Sequence, residues 1–254
     1  MKLRYYLKKK WKEWDSRRFS LIKTLYFNFH YLPWNQARKL PIHLRNVKLK
    51  NTNGKIIIDA KEIKYGMIKI GAKSRNFWCP NETSTLDLAG RGKLVFLGNC
   101  IMRRGSHIRL GKNAILEIGN SFSAASNCNI VCFYHVVFGE NTHLGWDTTV
   151  MDTSWHRLKD VYSNQYMKLF TAVKVGANCW IGAKSSVLPG TKLPDNTIVS
   201  FGSVVNIRLK EQNMLLGGNP AKVIGEGYSL TEESFNGYPT VPKEQLLRRK
   251  SKYN

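Results

Sequence analysis

Val173-Lys-Val-Gly-Ala-Asn-Cys-Trp-Ile-Gly-Ala-Lys-Ser-Ser-Val-Leu-Pro-Gly-Thr-Lys-Leu-Pro-Asp-Asn-Thr-Ile-Val-Ser-Phe-Gly-Ser-Val-Val205 returns an aliphatic residue at every sixth position: Val175, Ile181, Val187, Leu193, Val199 and Val205. Ile, Leu and Val make up 57 of the 254 residues, so six hits in one register arise by chance about once in ten thousand. A period of six is neither the 3.6 of a helix nor the 2 of a hairpin strand. It marks a solenoid in which each short strand is one side of a coil and the aliphatic residue stacks on its equivalent in the next coil. Gly111, Gly139, Gly145, Gly176 and Gly182 each follow an inward residue directly, and Gly or Asn is expected to take the strained turn at the corner.

Upstream the step of six persists in pieces, at Leu110 and Leu116 and at Phe138, Leu144 and Val150, although the registers do not join. Short apolar runs such as Lys55-Ile-Ile-Ile-Asp59, Met67-Ile-Lys-Ile-Gly71 and Leu94-Val-Phe-Leu-Gly98 read as strands separated by tight turns. The coil therefore spans residues 46–225. Residues 151–172 lack the pattern and are expected to project as a loop, which is where a solenoid carries function.

The flanks differ. Residues 1–45 read as a basic amphipathic helical segment, with Leu3, Leu7, Trp11, Trp14, Phe19, Ile22, Leu25 or Tyr26, and Phe29 recurring at spacings of three and four. Pro33 and Pro41 bracket the connection to the coil. Residues 226–254 form a polar, basic tail. The net charge is +23, of which residues 1–50 hold +12 and residues 241–254 hold +4, so most of the excess lies outside the repeats. An aromatic-basic helix of this kind either lies on an anionic membrane surface or docks on its own domain, and the sequence leaves both open.

Five cysteines in an odd, unpaired pattern suit a reducing cytosol, with the basic helix at the inner face of the cell membrane if it meets lipid. Cys128 and Cys132 beside His135 raise a metal site, but no second ligand pair follows, and buried small apolar residues are the better reading. No run of 18 apolar residues predicts a spanning helix, and the N-terminus lacks the small-residue cleavage site of a signal peptide.

The coil resembles the hexapeptide-repeat acyltransferases, specifically the sugar and polysaccharide O-acetyltransferases. The resemblance rests on Val173–Lys184, Val187-Leu-Pro-Gly190, Phe201-Gly-Ser-Val-Val205 and the closing Gly217-Gly-Asn-Pro-Ala-Lys-Val-Ile224. It implies a mainly β protein, a left-handed parallel β-helix, assembled as a homotrimer with sites between subunits. It also implies acetyl-CoA as co-substrate, no metal, and a sugar or glycan acceptor of the capsule or O-antigen class or its lipid-linked precursor.

The family places a catalytic histidine at the end of a coil before a projecting loop, and Met151-Asp-Thr-Ser-Trp-His156 stands there. His156 is thus the expected general base, since an imidazole of ordinary pKa ~6.5 accepts a hydroxyl proton at neutral pH. Asp152 is the expected orienting carboxylate. For coenzyme A the resemblance implicates Trp180, the corners Gly182-Ala183 and Gly202-Ser203, and Asn219, Pro220, Ala221 and Lys222. Two readings from other classes compete. A γ-type carbonic anhydrase needs metal-binding histidines at a spacing that His135, His143 and His156 do not keep. A nucleic-acid-binding protein would use the basic charge, yet no recognised module is visible and no nucleic-acid partner is expected.

Overall fold

The computed structural model describes residues 20–73 and 82–230. The upstream part of the amphipathic stripe, most of the C-terminal tail, and Cys79 lie outside them. The chain winds through three parallel sheets of nine, seven and six strands, here called faces A, B and C after their first strands Ile42–Leu44, Val47–Lys50 and Lys55–Ile58. Each circuit visits A, B and C in turn, and the three faces enclose a triangular left-handed coil. The six residues of the defining register all point inward and are buried. So are Leu110, Leu116, Phe138, Leu144 and Val150.

The upstream pieces fail to join because the coils differ in length. Trp180 pairs with Ile198 and Lys174 with Lys192, a rise of 18 residues, which is three repeats of six. Earlier, Ile115 pairs with His135, a rise of 20, and Ile108 with Ile130, a rise of 22. Longer strands of three or four residues absorb the difference without disturbing the alternation of inward and outward side chains.

The corners divide their work differently from the expectation. Gly139, Gly176 and Gly182 do not take the left-handed conformation. They are glycine because the next coil passes directly over them: a Cβ on Gly139 would lie 2.4 Å from the Ala177 nitrogen, and one on Gly182 would lie 2.6 Å from the Val199 carbonyl oxygen. The left-handed residue comes two positions later and is Asn141, Asn178 or Asn196 at the C-to-A corners. Asparagine tolerates that region because its short side chain bonds locally, and here Asn141 Nδ2 also donates to Asn178 Oδ1 at 3.0 Å. A buried hydroxyl follows. Thr142, Thr148, Thr197 and Ser203 each donate to the carbonyl three residues back, at 2.7–2.9 Å, which satisfies corner carbonyls inside the coil.

Both ends of the stack are covered. Helix α1, Leu21–Tyr31, is capped by Ser20 and lies on the first coil. Its Asn28 side chain donates to the Ile42 carbonyl at 2.7 Å and accepts from the Ile42 N–H at 3.1 Å, while Thr24 Oγ1 accepts from the Leu44 N–H. These bonds satisfy the open edge of the first strand, as an exposed sheet edge requires. The first strand thus begins inside the segment set apart as 1–45, because α1 and face A form one packed unit around Phe27. At the far end Met214–Gly218 turns back antiparallel as Ala221–Glu226 and closes face A.

Candidate active site

The loop at residues 152–172 leaves the B-to-C corner between strands Thr149–Met151 and Val173–Val175. It is a short hairpin finger. Asp160 N–H donates to Gln165 and Met167 N–H to Leu158, both at 2.8 Å. The Asp160 carboxylate accepts from the Tyr162 and Ser163 N–H groups at the tip, and these two bonds hold it below the usual carboxylate range. Tyr162 stands 98% exposed at the tip.

Asp152 anchors the base of this finger and does not orient His156. It is fully buried, and its two oxygens accept from the backbone N–H groups of Phe133, Tyr134 and His135 at 2.8, 2.7 and 2.9 Å. Those three donors belong to the corner one coil earlier. The expectation failed because a buried carboxylate facing three N–H groups is already committed to the backbone.

His156 is exposed, and its partner is the backbone. Nδ1 lies 3.1 Å from the Ser154 carbonyl oxygen. A carbonyl can only accept, so the contact places a hydrogen on Nδ1, and in the neutral ring Nε2 is then the nitrogen that carries the lone pair. This is the tautomer of a proton acceptor. By contrast His143 is paired at both nitrogens, with Ser123 Oγ and Asn141 Oδ1 each at 3.0 Å, and burial holds its pKa low. His135 pairs with Glu117 at 2.7 Å on face C. The three histidines of the carbonic-anhydrase alternative thus stand on face C, on face A and at the B-to-C corner, and among the described residues of one chain they do not gather into a metal-binding group.

The backbone beneath His156 is strained and held. Trp155 has φ +68, a region that a bulky residue enters only when its surroundings fix it. Its N–H donates to Thr153 Oγ1 at 3.0 Å. Its indole packs on Phe133 with centroids 4.8 Å apart, and the Arg109 guanidinium lies 4.6 Å above it. Asp87 tethers that guanidinium at 3.6 Å. Arg109, Phe133 and Trp155 were not singled out in the sequence, because they meet across three successive coils and no local spacing records such a contact; Ser154 acts through its backbone carbonyl, which no residue type marks.

The residues expected at coenzyme A gather elsewhere, along the A-to-B corners and the closing hairpin. Trp180 lies half-exposed on face A. Ala183 is buried at its corner, between the coils of Trp146 and Phe201, whose rings stand 6.3 Å apart. Gly202, at φ +68, has nothing within 4 Å of where a Cβ would stand, so its corner is open to a ligand. Asn219 and Pro220 form the hairpin turn, and Lys222 is exposed beside it. Three members of the set face inward or against the next coil instead. Ser203 is buried, with Oγ bonded to the Ser200 carbonyl; Gly182 is crowded by Val199; Ala221 is buried in the hairpin.

His156 and the coenzyme-A set therefore occupy different edges of one triangular prism.

No family model matches the chain. A Saccharomyces cerevisiae protein assigned as an acetyltransferase is 32% identical over 132 residues, covering 50% of this chain and 65% of that protein. The galactoside O-acetyltransferase of Escherichia coli is 31% identical over 111 residues, covering 44% and 54%. The chain is thus similar in sequence to proteins named as acetyltransferases. The chain spans between half and two thirds of the length of these curated relatives. The solved structure of the polySia-specific acetyltransferase NeuO superposes with a TM-score of 0.54 over 81% of this chain and 98% of that one, at 14% identity, which shows a shared fold.

Proposed function

We propose that the protein is an acetyl-CoA-dependent O-acetyltransferase acting on a sugar hydroxyl, with His156 as general base. The observation that carries this reading is the Nδ1 bond to the Ser154 carbonyl, which leaves Nε2 of the exposed ring as the proton acceptor on a rigidly held turn. Acetyl-CoA supplies, when bound, an acetyl group activated as a thioester. Nε2 takes the acceptor's hydroxyl proton as the oxygen forms its bond to the acetyl carbon. As the carbon–sulfur bond breaks, the imidazolium returns that proton to the departing sulfur, so no covalent enzyme intermediate is needed.

The open Gly202 corner, the Trp146–Phe201 pair and Lys222 fit an extended pantetheine arm ending in phosphates. Small corners let the arm approach backbone, and a lysine meets phosphate as a point charge. Since these groups and His156 stand on different edges, the complete site takes its base from one copy and its coenzyme-A surface from a neighbour. A closed trimer satisfies this with three equivalent sites. The aromatic, partly exposed bed of Trp155 and Phe170 suits the face of a sugar ring. By resemblance the acceptor is a bacterial surface polysaccharide or its lipid-linked precursor. Incubation with acetyl-CoA and a panel of sugars and oligosaccharides, read by product mass, is expected to show one added acetyl group on at least one glycan. No mass increase on any of them, with acetyl-CoA failing to bind, contradicts the reading.

A further inference from the structure

Helix α1 docks by one side and carries an apolar stripe on the other. The side docked on the coil is built from Thr24, Phe27, Asn28 and Tyr31. The stripe that the sequence spacing picks out, Ile22, Leu25, Tyr26 and Phe29, is the other side, and it faces solvent. Ile22 is 82% exposed. Trp34, 72% exposed, extends the patch, with its ring 5.4 Å from that of Phe29. A surface helix ordinarily carries charged residues on this side. The bonds of Asn28 and Thr24 to the first strand fix the rotation of α1, so the stripe cannot turn inward to find cover.

Charge indicates what covers it. Residues 16–58 contain no Asp or Glu. Arg38 and Lys39 are exposed just after Trp34–Ala37, Lys23 is exposed with its ammonium donating to the Val47 carbonyl, and residues 1–18 add eight Lys and Arg against Glu13 and Asp15. Aliphatic and aromatic side chains accompanied by cations match the boundary between acyl chains and anionic headgroups, where Trp and Tyr settle with the polar edge outward. A second copy of the chain would bring like charges together at the same patch, which opposes pairing through it.

We propose that the outer face of α1, with Trp34, docks on an anionic lipid bilayer and seats the α1-covered end of the coil against the membrane. The test is co-sedimentation of the full chain with vesicles of phosphatidylglycerol and phosphatidylcholine in equal parts, against phosphatidylcholine alone. Binding is expected on the mixed vesicles only. It should weaken as salt approaches ~1 M, where the Debye length falls to ~3 Å. The double variant Ile22→Glu/Phe29→Glu alters exposed positions only, so its melting temperature should match the wild type while its partitioning falls by about tenfold or more. Failure of the wild type to sediment with mixed vesicles overturns the proposal. So does a double variant that sediments as well as the wild type, since cations alone would then account for binding. A lower oligomeric mass in that variant with unchanged vesicle binding would instead assign the face to contact between copies.

Discussion

His156 and Asp152 lie four positions apart in sequence and do unrelated work. The sequence makes both polar residues at a loop entrance and cannot separate them, because what separates them is the corner of the preceding coil, 17 to 19 residues upstream. Asp152→Ala leaves three partly buried N–H groups without their carboxylate acceptor, and hydrogen bonds to charged groups contribute about 1.5–3 kcal/mol each. A loss of at least ~3 kcal/mol in unfolding free energy is expected, measured by denaturant titration. Normal stability combined with a large fall in turnover would restore the orienting role. Arg109→Ala should behave oppositely. It releases the indole that holds the Trp155 backbone, a contact of about 0.5–1 kcal/mol, so turnover should fall several-fold with little change in melting temperature.

Among the elements, the repeat was legible and its corners were only half so. The step of six marked one inward residue on each strand of the last two coils, because burial dictates an aliphatic side chain there. The glycines were legible as obligatory but not for their reason, since close approach and left-handed backbone both select glycine. Substitution distinguishes the two. Gly139→Ala drives a Cβ to 2.4 Å from backbone that cannot move aside, and should destabilise by several kcal/mol or prevent folding, about the upper end of single-residue effects. Gly202→Ala meets open space and pays only for φ +68, roughly 1–2 kcal/mol. Thermal unfolding of the pair checks this. The amphipathic stripe of α1 was read correctly as apolar, while the side that docks was invisible, because Thr24 and Asn28 dock through hydrogen bonds rather than through grease.

For the whole molecule, most of the charge excess lies outside the coil in sequence. The coil interior is closed. Cys100, Cys128, Cys132 and Cys179 are all buried and reduced, and burial pushes their thiols up, Cys128 to about 12 and Cys179 to about 11. At neutral pH these four should resist alkylation in the native protein and label only after denaturation, as peptide mass mapping would show. The separation of base and coenzyme-A surface onto different edges has its own consequence. Mixing His156→Ala with Lys222→Ala chains under conditions that allow subunit exchange should recover activity that neither has alone, through sites that draw each intact half from a different copy. The decisive measurement is the steady-state turnover of His156→Ala with acetyl-CoA and an accepted sugar, beside its melting temperature. A drop of about 10²- to 10⁴-fold in turnover with an unchanged melting temperature is expected; a stable variant that transfers acetyl groups at the wild-type rate would contradict His156 as the base.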